Sequence, residues 1–155
     1  MKISVSQTVN AQPALAFAIA SDVKAWPGII AGIESTEILT RDPIGPGTRF
    51  RETRRMHGKL VTEEMVFAEF DPPDRFVLTA YSHGTRYRAT HEFKGAGLAT
   101  EMTLTFSGRP VTRMAHVLSP VAYLFAPLLR RQLASDLADL KHAIECRPSG
   151  RSAAF

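Results

Sequence analysis

Val111–Glu145 reads VTRMAHVLSPVAYLFAPLLRRQLASDLADLKHAIE. Its apolar residues return at helical spacing: Val117, Val121, Leu124 and Leu128, then Leu133, Leu137, Leu140 and Ile144. Arg130, Arg131, Ser135, Asp136, Asp139, Lys141 and His142 fill other positions, mostly in the second half. The spacing predicts one long amphipathic helix, which must bury its stripe against another surface. Almost everything before it reads as strands, so the helix is expected to lie across a sheet in an α+β fold. Pro120 and Pro127 fall one heptad apart in its apolar first half. Each lacks an amide hydrogen and can kink a helix. Either Arg113–Leu118 is a separate turn and the helix begins near Pro120, or a kinked, mobile segment guards an opening.

Upstream, Ile3, Val5, Gln7 and Val9 alternate with Ser4, Ser6 and Thr8, the pattern of a strand with one buried face. Pro13 suits the first turn of a short helix over Ala14–Ala20. Asp22–Trp26 predicts a second short helix, stopped by Pro27-Gly28. Six more strands follow: Ile33–Thr40, Thr48–Met56, Leu60–Phe70, Arg75–Ser82, Thr85–Phe93 and Leu98–Ser107. They are separated by Asp42–Gly47, His57–Lys59, Asp71–Asp74, His83-Gly84 and Lys94–Gly97, sequences suited to turns. Such short connections favour an antiparallel meander.

The chain has 155 residues, enough for one domain that buries about 70% of its unfolded surface without a staple. Residues 1–146 are expected to form that domain, with Arg147–Phe155 a frayed tail. The one cysteine, Cys146, cannot form an internal disulfide, which fits a reducing compartment. The net charge of +4 comes from scattered arginines, the distribution of solvated strands rather than of a nucleic-acid interface. The N-terminus alternates like a strand and lacks a signal-peptide core. Val117–Leu129 is too short for a bilayer span and is interrupted by prolines. These features predict a cytoplasmic protein without stable membrane insertion.

The order strand, two short helices, six strands, long helix resembles the helix-grip fold of the START/Bet v 1-like (SRPBCC) superfamily. Within it, the polyketide cyclase/dehydrase-like branch is the most similar. The resemblance is carried by Val9–Pro13, Asp22–Pro27, Gly45–Phe50, Glu69–Phe76 and Leu133–Leu140, and so runs nearly end to end. It implies a curved seven-stranded antiparallel sheet gripping the last helix, with an apolar cavity between them. The superfamily has no shared catalytic motif, so the resemblance assigns no catalytic residue.

Strand facing selects the side chains that would see a ligand. In the third strand, Phe50, Glu52, Arg54 and Met56 share the inward face, with Arg49, Arg51, Thr53 and Arg55 outward. In the fourth, Leu60, Thr62, Glu64, Val66, Ala68 and Phe70 are read as inward. The opposite face, Val61, Glu63, Met65 and Phe67, is nearly as apolar, and a bulge midway would exchange the two. Tyr87, Ala89, His91 and Phe93 face in from the sixth strand, and Met102, Leu104 and Phe106 from the seventh. Val117, Val121, Leu124, Phe125 and Leu128 supply the helix wall. The expected site is therefore Phe50, Glu52, Arg54, Glu64, Tyr87, His91, Met102, Leu104, Phe106, Val121, Leu124, Phe125 and Leu128: mostly apolar, with a few polar groups.

Three functions fit this lining. Arg54 or His91 could anchor the polar end of a lipid-, polyketide- or aromatic-like molecule. Glu52, Glu64 and His91 could instead serve as acid and base for a cyclisation or dehydration beside a carbonyl. Alternatively, the same charges form plain ion pairs, Glu52 or Glu64 with Arg54, and the apolar Val117–Leu129 face binds a protein partner or a second copy. The five histidines, His57, His83, His91, His116 and His142, show no ligand-like spacing, and neither glycine-rich turn opens a helix, so no metal or nucleotide cofactor is expected.

Overall fold

The computed structural model describes residues 1–41 and 43–146; Asp42 and the tail Arg147–Phe155 lie outside the described residues. Among the described residues there are seven strands: β1 (Lys2–Val9), β2 (Ile33–Ile38), β3 (Arg49–Met56), β4 (Lys59–Asp71), β5 (Arg75–Ser82), β6 (Thr85–Ala96) and β7 (Ala99–Pro110). They form one antiparallel sheet in the order β1-β7-β6-β5-β4-β3-β2, a meander whose first strand closes onto the last. Between β1 and β2 lie helix α1 (Pro13–Ala20) and a 3₁₀ helix over Val23–Gly28. The C-terminal helix runs along the concave side, giving the expected helix-grip arrangement.

The expected single helix is two. Helix α2 spans Arg113–Tyr123 and α3 spans Ala126–Glu145, with the break at Leu124-Phe125. Pro120 lies inside α2, and the break comes before Pro127, which occupies the first turn of α3. There a missing amide hydrogen costs nothing, because first-turn amides have no helical acceptor. Thr112 starts α2 as an N-cap, its hydroxyl accepting from the Ala115 amide at 3.2 Å.

Helix α3 buries Leu133, Leu137, Leu140 and Ile144. Polar links then fix its position along its length. Arg130 Nη1 donates to the Ser4 carbonyl at 2.9 Å, and Asp136 pairs with Arg54 at 3.0 Å. Asp139 accepts from the Ala31 amide at 3.0 Å, and Glu145 from the Asn10 amide at 2.9 Å. Helix α1 plugs one end of the grip. Phe17 packs edge-on against Phe70, Phe76 and Phe93. Trp26 sits edge-on to Phe50 and donates its indole N–H to the Ala20 carbonyl at 3.0 Å.

The facing of β4 is opposite to the sequence reading over most of its length. The hairpin turn is the two-residue His57-Gly58, both at positive φ (51° and 80°), so Met56 pairs with Lys59. Cross-strand partners share a face. Glu52 therefore stands opposite Glu63, Arg54 opposite Val61 and Phe50 opposite Met65. Val61, Glu63, Met65 and Phe67 point inward, and Leu60, Thr62 and Glu64 point out. A bulge between Phe67 and Glu69 then switches the face and returns Phe70 to the core. On the outer face, Arg49 pairs with Glu64, Arg51 with Glu37 and Arg55 with Glu34. The arginines of β3 that alternation placed outward are the ones that carry these pairs.

Candidate functional site

Each inward-facing strand divides along its length into core and cavity wall. In β3, Phe50 is core while Glu52, Arg54 and Met56 line the cavity; in β4, Phe67 is core while Met65, Glu63 and Val61 line it. The same division separates Phe76 from Leu78 and Ala80 in β5, and Phe93 from His91, Ala89 and Tyr87 in β6. In β7 it separates Met102 from Leu104 and Phe106. Core residues lie toward the end plugged by α1. Beyond them, between sheet and α3, is a cavity of about 790 Å³. Ala122, Phe125, Leu128, Leu129, Gln132, Leu133, Asp136 and Leu140 close the helix side.

One ionic group dominates the cavity wall. Arg54 Nε donates to Glu52 at 3.2 Å, and Nη1 reaches Asp136 at 3.0 Å. All three side chains are at most 16% exposed, so the pairs are poorly screened. Burial raises the Glu52 carboxyl above its ordinary value against the pull of Arg54, with Asp136 and Glu63 adding to the rise. Burial likewise raises Asp136, again opposed by Arg54. Burial alone would lower the arginine, but its bonds and charges with Asp136 and Glu52 more than compensate, and its pKa is raised. Gly32 permits this placement: a Cβ there would come within 3.3 Å of the guanidinium.

His91 is buried, its ring stacked on Phe76 at a centroid distance of 4.4 Å. Burial lowers its pKa to about 4, so the ring is neutral near pH 7. It lines the cavity and makes no hydrogen bond to any described residue. Tyr87 stacks on Phe106 nearer the open end.

Of the residues expected from sequence, Glu52, Arg54, Tyr87, His91, Leu104, Phe106, Phe125 and Leu128 line the cavity. Five do not. Phe50 and Met102 face inward but are packed into the plugged end. Glu64 lies on the outer face, paired with Arg49 at 3.1 Å, because the two-residue turn fixes the opposite parity. Val121 and Leu124 point to solvent, because α2 turns smaller residues inward: Ala115 is buried and Ala122 lines the cavity. Glu63 and Met65, on the alternative face of the fourth strand, also line the cavity, as do Asp136 and Leu78, which sequence reasoning missed. Asp136 carried a legible signal, standing three residues after Leu133 and four before Leu140, on the buried stripe of α3. Among the described residues no cluster of His, Cys, Asp and Glu could hold a metal ion, and no helix is long and apolar enough to cross a membrane.

The structure is similar to several solved ones over nearly its whole length. The Zhui aromatase/cyclase from a Streptomyces species aligns with a TM-score of 0.79 at 16% identity, covering 97% of each chain. A protein from Thermus thermophilus aligns at 0.74 and 22% identity, covering 96% of this chain and all of the other. A START superfamily protein from Mycobacterium smegmatis aligns at 0.66 and 18%, covering 94% of this chain and 95% of that one. At these identities the likeness is one of fold. No curated protein matches in sequence. A family model described as polyketide cyclase / dehydrase and lipid transport matches residues 1–145, and on that match the chain belongs to this family.

Proposed function

We propose that the protein binds a small, largely apolar molecule in the cavity between sheet and α3, with a polar group of that molecule held near Arg54, Glu52 and His91. The unfilled volume of about 790 Å³ carries this reading. It falls within the roughly 300–1,000 Å³ usual for ligand sites, and empty space on that scale forfeits packing that a core would otherwise have. Apolar walls from Met65, Leu78, Leu104 and Phe106 suit a lipid-, polyketide- or aromatic-like body. His91, which makes no hydrogen bond among the described residues, has hydrogen-bonding capacity left for a ligand.

Acid–base cyclisation has less support. Glu64 is outside the cavity, and no hydrogen bond links His91 to Glu52. Turnover of a polyketide substrate that is lost in a folded His91→Ala variant would reinstate it.

Native mass spectrometry of protein purified from its source is expected to show a co-purified apolar molecule. A panel of fatty acids and aromatic polyketides should contain members that raise the melting temperature, since a ligand that binds only the native state stabilises it. Ala89→Trp, which fills the cavity from β6, should abolish both effects while the protein stays folded. No bound species and no thermal shift in the wild type would overturn the proposal.

A further inference from the structure

Helix α2 is built inside out. Its one buried residue is small, Ala115, with Ser119 half-buried and Ala122 at the cavity, while its large apolar residues face water. Met114 is 68% exposed, Val117 71% and Leu124 76%, and Leu118, Val121 and Phe125 are exposed beside them. An apolar surface of this extent marks an interaction site. It is also continuous with the cavity, because Phe125 and Leu128 line the cavity and are exposed as well.

The segment that builds this face carries charge of one sign. Between Glu101 and Asp136 the chain contains no Asp or Glu, but it contains Arg109, Arg113, Arg130 and Arg131. All four are exposed, and none forms an ion pair among the described residues. Arg86 stands beside Arg109 in the β6–β7 register. The His57-Gly58 and His83-Gly84 turns, with exposed Lys59, Leu60 and Tyr81, lie at the same end of the sheet as the start of α2. The Asp71–Asp74 turn is at the opposite end. The apolar face is thus rimmed by cations from its own segment and from the adjoining end of β6 and β7.

We propose that α2 and the α2–α3 junction form a docking surface for an anionic phospholipid bilayer, on which the protein sits peripherally with the cavity mouth against the lipid. Large apolar side chains with arginines around them are the composition of a helix lying in the plane of a membrane interface. A second protein surface would need matching acidic groups around an apolar centre. An anionic bilayer supplies both over any area. An apolar molecule could then pass between bilayer and cavity past Phe125 and Leu128 without crossing water. Docking itself requires no ligand, so it can be tested separately from the binding function.

The test is flotation of the full-length protein with phosphatidylcholine vesicles, with and without phosphatidylglycerol. The protein should float with the anionic vesicles only, and high salt should release it. Arg113→Glu should weaken the association by about tenfold. The double variant Val117→Glu with Leu124→Glu should abolish it, while an unchanged melting temperature shows that both proteins are folded. Protein that remains unbound to both vesicle types would overturn the proposal. So would a stable homodimer in sedimentation equilibrium that Leu124→Glu dissociates, because the face would then belong to a second copy.

Discussion

Arg54 shows how one side chain joins stability to the site. Among the described residues it is the cation that pairs with both the buried Glu52 and the half-buried Asp136. Arg54→Ala would leave both without a counter-charge and should cost roughly 3–5 kcal/mol in urea unfolding. Arg54→Met combined with Glu52→Gln and Asp136→Asn should recover most of that loss, since the charges leave together. A full loss in the triple variant would show that shape rather than charge is at stake. His91 makes a different prediction. Its pKa is about 4 in the fold against an ordinary 6.5, so between those values the unfolded chain binds a proton that the native protein refuses. The stability tied to neutral His91 is complete above about pH 6.5 and falls as the pH drops toward 4, by roughly 3 kcal/mol. Glu52 and Asp136 act with the opposite sign. Their raised values favour the native state in acid, and that contribution is lost as the pH rises through them. Comparing wild type with His91→Phe in urea titrations across the window isolates the histidine, and an identical slope in both proteins would refute its role.

At the scale of elements, two short features decided more than long ones. Alternation in β3 was legible because its outward face is arginine and threonine. In β4 both faces are mixed, and a three-residue turn at His57–Lys59 would have set the wrong parity. The actual two-residue turn shifts the pairing by one, and a shift of one residue exchanges the faces of a strand. The sequence contains the turn residues but not which of two turn lengths forms. The same limit applies to the C-terminal stretch, where spacing revealed a helix and prolines revealed an interruption. Only packing shows that α3 is clamped by Leu133–Ile144 while α2 buries Ala115 alone among its residues. This difference should appear in hydrogen exchange, because segments with few buried contacts open locally. Amides of α3 should exchange near the global limit and those of α2 much faster. Thr112→Ala, which removes the α2 cap, costs about 1 kcal/mol and should speed α2 exchange roughly fivefold without changing α3. Equal acceleration in both helices would mean that they unfold as one unit.

Across the whole molecule, the sheet and helix enclose an aromatic core at one end and open space at the other. The plug made by Phe17 and the rings around it lets the rest of the grip stay hollow, because a fold needs enough burial but not burial everywhere. The cavity, its polar cluster and the exposed α2 face lie in one direction from that plug, which ties the proposed ligand and the proposed bilayer to the same end. The sequence by itself determined the class of fold, the order of elements along the chain and the inward-facing positions of most strands. Period-two and period-3.6 patterns, together with turn residues, are local properties of the chain, and the end-to-end resemblance rests on them. Depth along each strand was decided only by tertiary structure: Phe50 and Met102 face inward, yet they fill the core rather than line the cavity. So was the orientation of α2, whose periodicity is the same whether its large or its small residues turn inward. Facing is a repeat within one segment, whereas depth and helix rotation depend on which distant segments meet there, and no local pattern encodes that meeting.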